Sequence, residues 1–240
     1  ISLSVGASVY PEHGRDPESL LRAADAALFR AKANGRSQLS MFSPDLLEAA
    51  AAKFATEQGL RRAVERGEFE LVFQPEFNLT TMETGPVEAL LRWRLPNGAY
   101  SYPQDFLPVA NDCGLIREIG DWVIQSAIEH AAQWHKSGWP AVRVAINVSA
   151  LQMLDNQFVD RIQALLARHG LPPRCIEIEL TENVLQTGKQ TVEALRQLHA
   201  FGVGVALDDF GTGYSSLVSL EQLPLSRVKI DRSLIASIDT

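Results

Sequence analysis

Apolar positions recur with two periods along this chain, and the switches between them mark out its elements. Ile1, Leu3, Val5, Ala7 and Val9 alternate with polar or small residues, which predicts a half-buried strand with no partner strand before it, the tail of a domain. After a turn at residues 11–14, Asp16 can cap a helix with Pro17 at its first position and Gly35 just past its end. Leu20, Leu21, Ala24, Ala27, Leu28 and Ala31 form its apolar face. Residues 43–66 read as an Ala-rich helix carrying Leu46, Leu47, Phe54, Leu60 and Val64, stopped by Gly67 and expected to link two domains. From residue 68 short apolar runs alternate with amphipathic stretches, the pattern of βα units around a parallel sheet. The predicted strands are 69–73, 86–91, 142–148, 175–180, 203–208 and 227–231. The predicted helices lie near 104–112, 119–137, 156–169, 189–201 and 216–222, several of them closed by Gly138, Gly170 and Gly202.

Five of these runs carry an out-of-place polar residue near the end. Glu88 stands in PVEALLRW, Asn147 in VAINVSA, Glu179 in IEIELTEN, Asp208 and Asp209 in VALDDFG, and Lys229 in RVKIDRS. A barrel of parallel strands gathers its C-terminal strand ends on one face, so these groups are predicted to share a pocket. Taken one at a time, each has a structural explanation: Asn147 can satisfy a turn, Glu179 and Glu182 can be solvated, and Lys229 can neutralise Asp231. Taken together they point to a bound cation, because buried carboxylates need positive charge and the sequence supplies few lysines nearby. Glu88, Asn147, Glu179, Asp208 and Asp209 offer only oxygen ligands, which suits Mg²⁺ or Mn²⁺ better than zinc. Two such ions about 4 Å apart are a recurrent device for phosphodiester hydrolysis. Lys229 can orient water or stabilise phosphoryl charge, and Arg92 can hold a phosphate.

Composition narrows the choice. A formal charge of −7 argues against a duplex nucleic-acid binder. Two cysteines, Cys113 and Cys175, lack metal or redox spacing and fit a reducing cytoplasm. No run approaches the roughly 18 apolar residues of a membrane span, so no membrane segment is expected in this chain, and no signal peptide opens it. The loop at 210–216 has Gly211 and Gly213 but lacks the third glycine of a dinucleotide fingerprint, and Gly188–Lys189 lacks the rest of a P-loop. His130 and His135 point to different faces of one helix, and Trp122, Ala127, Ile128, Ala131 and Trp134 form a stripe that reads as core.

Residues 67–240 resemble the EAL domain, the bacterial cyclic-di-GMP phosphodiesterase module, through FQPEFNL, EALLRW, NVSA, ELTEN, DDFGTGYSSL and KIDRSLI. The resemblance implies an α/β fold, a modified TIM-type (β/α)8 barrel that uses Mg²⁺ or Mn²⁺ to hydrolyse cyclic-di-GMP to linear pGpG. It implies that Glu88, Asn147, Glu179 and Asp208 hold a first ion and that Asp208 bridges to a second held also by Asp209. Lys229 would position the attacking water, and Gln74, Leu90 and Arg92 would contact the dinucleotide. Glu182 would steady the loop carrying Phe210, Gly211, Thr212 and Gly213, which in the family couples the site to homodimerisation. Ca²⁺ at the same ligands would permit binding yet inhibit turnover, its geometry being looser. The alternative within this fold is an inactive cyclic-di-GMP receptor, which the intact acids argue against. Residues 1–42 resemble the end of a GGDEF domain through SVGAS and AADAALFRAKANGRSQL, which implies an upstream GGDEF domain as partner. The expected organisation is a GGDEF fragment at 1–42, a linker helix at 43–66 and an EAL domain from 67. Family members continue past KID to further strands with another glutamate for the second metal, so the barrel is expected to be incomplete at Thr240 and the source protein longer.

Overall fold

The computed structural model describes residues 2–33, 35–139, 142–182, 188–212 and 223–236. Its contacts divide into two units, residues 1–62 and 63–240.

In the first unit, strand β1 (Val5–Ala7) leads into helix α1 (Pro17–Ala33) and then into β2 (Leu39–Met41), which runs parallel to β1. The opening strand therefore finds its partner downstream; β2 is too short, at three residues, to show a period in the sequence. Asp16 caps α1 by accepting the Ser19 N–H at 2.9 Å. Gly6 lies where the backbone of α1 comes closest, so a Cβ there would overlap Ala24 and Leu28. Ala23, Ala27, Phe42 and Leu46 make a small core. The expected apolar face of α1 is turned slightly, since Ala23 is buried and Leu21 is exposed. On helix α2 (Asp45–Arg66), Leu47 and Phe54 are likewise exposed while Leu60 is buried.

The second unit is an α/β sheet in the strand order β3-β4-β6-β7-β8-β9, with β5 added to β4. β3 (Phe69–Phe77) and β4 (Thr84–Arg94) form an antiparallel hairpin, and β5 (Tyr100–Ser101) also pairs antiparallel with β4. The uniformly parallel sheet expected from the sequence is corrected at this edge. The short link between β3 and β4 leaves no room for a crossover helix, and Asn78 turns the chain by accepting the N–H groups of Thr80 and Thr81. From β4 onward the sheet is parallel through β6 (Val144–Asn147), β7 (Ile176–Thr181), β8 (Gly204–Phe210) and β9 (Arg227–Ile230). Helices α3 (Pro103–Asp112), α4 (Ile116–Lys136), α5 (Ala150–Met153), α6 (Phe158–His169) and α7 (Lys189–Phe201) lie along the chain between these strands.

Alternation decides which face is greasy. Ile176, Ile178 and Leu180 of β7 fall on one face and Glu177 and Glu179 on the other, all five buried. Ala89, Leu91 and Trp93 of β4 are buried, while Glu88, Leu90 and Arg92 take the opposite face. α4 packs against β6 and α7 against β8, through faces that include Ile119, Ala127, Ile128, Leu195 and Leu198. The aromatic stripe of α4 is core, as its spacing suggested: Trp122 meets Phe69 and Trp134 meets Phe73. His130 joins that packing, with Nδ1 against the Ser126 carbonyl oxygen at 2.8 Å. Gly170 and Gly202 end α6 and α7 in the left-handed conformation, at φ 63° and 100°. Among the described residues no helix is long and apolar enough to cross a membrane. Gly213 and the helix expected at 216–222 lie outside the described residues.

Candidate active site

The strand register sets the polar residues in rows across one face of the sheet. Asn147 stands opposite Glu179, Glu179 opposite Ala206, and Thr181 opposite Asp208. Glu88 belongs to the same group but does not close its strand: β4 continues from it to Arg94, because β3 and β5 extend the pairing. The expectation that every site residue sits at a strand end is corrected there.

Side-chain atoms converge where the register brings them. Oxygens of Glu88, Glu179 and Asp208 all lie within 4.8 Å of one another. The Lys229 ammonium sits among them and donates to Glu88 Oε2 at 3.1 Å, Glu179 Oε2 at 2.9 Å and Asp208 Oδ2 at 3.2 Å. Asn147 Nδ2 donates to Glu88 Oε1 at 2.7 Å, which fixes the orientation of that carboxylate. Burial pushes the Glu179 carboxyl up to about 7, with Lys229 opposing the shift. Lys229 is shifted above the ordinary lysine value: burial works against its charge, and Glu179, Glu88 and Asp208 outweigh burial. It therefore stays protonated and acts as a donor.

The strand breaks at Asp209, an exposed residue that lies outside the cluster of Glu88, Glu179 and Asp208. Successive residues of a regular strand face opposite ways, so Asp208 and Asp209 would diverge. The β8–β9 register shifts between Leu207 and Phe210, and Asp209 adopts φ 53°. Its carboxyl is raised by burial and by the nearby charges of Asp208 and Asp231. Beyond it, the Gly211 N–H donates to Glu182 Oε1 at 3.0 Å, and Thr212 Oγ1 donates to the Asp209 carbonyl oxygen at 2.9 Å. Glu182 is itself buried. Phe210, between them, is half-buried.

Gln74 pairs with Glu88 across β3 and β4, and Leu90 and Arg92 follow Glu88 on the same face. The Arg92 guanidinium lies over the Tyr102 ring, 5.0 Å from its centre. The sequence reading passed over Tyr102 and a second ionic layer made by Arg227, Glu76, Glu177 and Arg143. A legible signal for that layer was the two-residue spacing that puts Glu177 on the face of Glu179 and Arg227 on that of Lys229.

Residues 57–240 match the EAL domain family. The chain belongs to that family. Ahead of its EAL domain, residues 1–38 match the family described as diguanylate cyclase, GGDEF domain. The EAL chain is 39% identical over 236 residues to the bifunctional diguanylate cyclase/cyclic di-GMP phosphodiesterase MucR of Pseudomonas aeruginosa, covering 98% of this chain and 34% of that protein. It is 38% identical over 239 residues to the cyclic di-GMP phosphodiesterase NbdA of the same species, covering 99% of this chain and 30% of that protein. The chain thus spans about a third of the length of the curated relatives it matches. Among solved structures it resembles the PaMucR phosphodiesterase in complex with c-di-GMP, with a TM-score of 0.73 and 39% identity over 77% of this chain and 75% of that one. For the EAL domain the all-oxygen donors of Glu88, Glu179 and Asp208, so close together, make a cluster that can bind a metal ion.

Proposed function

We propose that the chain is the catalytic part of a bacterial enzyme that hydrolyses cyclic-di-GMP to linear pGpG with the aid of Mg²⁺ or Mn²⁺. The observation that carries the reading is the convergence of Glu88, Glu179 and Asp208 around Lys229. The names of its relatives, MucR and NbdA, supply the substrate. In this reading Glu88, Asn147, Glu179 and Asp208 hold one ion, and Asp208 and Asp209 face a second. A bound divalent ion polarises the phosphodiester and lowers the pKa of water. The chain's own groups then have separate tasks. Lys229 helps to position the attacking water or donates to a phosphoryl oxygen. Arg92 pairs with a phosphate of the substrate, and Gln74 and Leu90 line the same face against the dinucleotide. Glu182 holds the Gly211 amide and with it the loop that follows Asp209. The GGDEF segment belongs to a neighbouring domain, and the EAL domain pairs with a second copy of itself.

The test is to incubate the purified protein with cyclic-di-GMP and Mg²⁺, Mn²⁺ or Ca²⁺ and to follow pGpG by chromatography. Turnover with Mg²⁺ or Mn²⁺ and none with Ca²⁺ is expected. Tight binding without turnover under every metal would replace the enzyme with a receptor.

A further inference from the structure

Glu177 and Glu179 stand two residues apart on one face of β7, and neither exposes any surface. Between β7 and β9, strand β8 sets Gly204 opposite Glu177 and Ala206 opposite both Glu179 and Arg227. These small residues leave the face open: a Cβ on Gly204 would already stand 3.1 Å from Glu177 Oε2. Arg227 reaches across β8 through that opening. Its Nη2 donates to Glu177 Oε1 and, at 3.3 Å, to Glu179 Oε1, while Nη1 donates to Glu76 on β3. Neutralising Glu177 does not by itself account for this arginine, because Arg143 already donates to the other oxygen of Glu177 at 3.2 Å. The two oxygens of Glu179 are divided: Oε1 meets Arg227, and Oε2 faces Lys229 and the cluster.

We propose that Arg227 is a positioning residue: it pins Oε1 of Glu179 and so turns Oε2 toward Glu88 and Asp208, while Glu76 and Glu177 hold the guanidinium in place. The proposal rests on the reading of Glu179 as a ligand of the cation. A lysine puts its three donors on one nitrogen, whereas the guanidinium spreads them over two, Nη1 to Glu76 and Nη2 to Glu177 and Glu179, so lysine is a poor substitute across this span.

The experiment measures Mn²⁺ affinity by calorimetry for the wild type, Arg227→Gln, Arg227→Lys, Glu76→Gln and Glu179→Gln, alongside a metal-free crystal structure of Arg227→Gln. Loss of a group that orients a ligand weakens metal binding about 10- to 100-fold, which is the expected result for Arg227→Gln, with a smaller loss for Arg227→Lys and Glu76→Gln. In the crystal the Glu179 carboxylate should be rotated out of the cluster. Affinity within about twofold of wild type, with Glu179 unmoved, would overturn the proposal. Should Arg227→Gln fail to fold, Glu76→Gln decides in its place, since it loosens the guanidinium and leaves every buried charge of β7 paired. Should Glu179→Gln bind Mn²⁺ as tightly as wild type, the ligand reading fails by itself, and the orientation of Glu179 in the Arg227→Gln crystal still decides the role of Arg227.

Discussion

Lys229 occupies the position where charge matters most. One ammonium serves three carboxylates, and a metal ion would serve the same three. Lys229→Met is therefore expected to destabilise the metal-free protein by about 3–5 kcal/mol, the cost of leaving buried charge unpaired. Saturating Mn²⁺ should recover most of that loss, which urea unfolding with and without chelator would measure. Hydrolysis should fall by about 10²- to 10³-fold even with metal bound, because a donor to the reacting group is gone. Glu179 gives a pH dependence whose sign is fixed. Its carboxyl is raised from 4.5 to about 7, so the folded state keeps a proton that the unfolded chain has released across that window. Its contribution to stability is complete below 4.5 and is lost as pH rises through about 7. Metal-free unfolding experiments between those values should show wild type losing stability relative to Glu179→Gln. Equal slopes would mean that the carboxyl is not raised.

At the scale of elements, β8 does two things that a regular strand cannot. Its first half supplies small residues, Gly204 and Ala206, on the face that Arg227 crosses. Its last residues break register, with Asp209 in the left-handed region, so the two adjacent acids depart from strict alternation. Gly211 follows at φ 104°, and a side chain there would run into Leu234. Gly211→Ala should cost about 1–3 kcal/mol in urea unfolding, since backbone strain and the clash add. Glu182→Ala should instead speed hydrogen exchange at the Gly211 amide about tenfold or more, because the side-chain acceptor of that part-buried bond is lost. An exchange rate unchanged by that substitution would remove Glu182 from its place under the loop.

At the scale of the molecule, the residues of the cluster come from β4, β7, β8 and β9, so a bound ion ties together strands far apart in sequence. Binding to the folded state alone raises stability by mass action, about 2.7 kcal/mol at a hundred times the dissociation constant. The melting temperature should climb with Mn²⁺ concentration, and Glu88→Ala should abolish the climb. All of these groups lie in the unit at 63–240. Deleting residues 1–42 should accordingly leave Mn²⁺ affinity unchanged by calorimetry.

Much of this was legible in the sequence because period and punctuation are local. The strands at 69, 144, 176, 204 and 227 and the helices ending at Gly170 and Gly202 follow from alternation, helical spacing and left-handed glycines. Glu88, Asn147, Glu179, Asp208 and Lys229 stood out as polar residues in apolar runs, and the structure brings them together. What the sequence could not decide was pairing. Whether β3 runs against β4, whether β1 finds a partner in Leu39–Met41, and how far β4 continues past Glu88 depend on hydrogen bonds to distant strands. Nor does any local pattern reveal that Arg227 spans β8 to reach Glu177 and Glu179, since that contact exists only because Gly204 and Ala206 vacate the space between. The chain by itself determined which residues are chemically out of place; the tertiary structure decided which of them share charge, because ionic partnership is set by distance in space and not by position along the backbone.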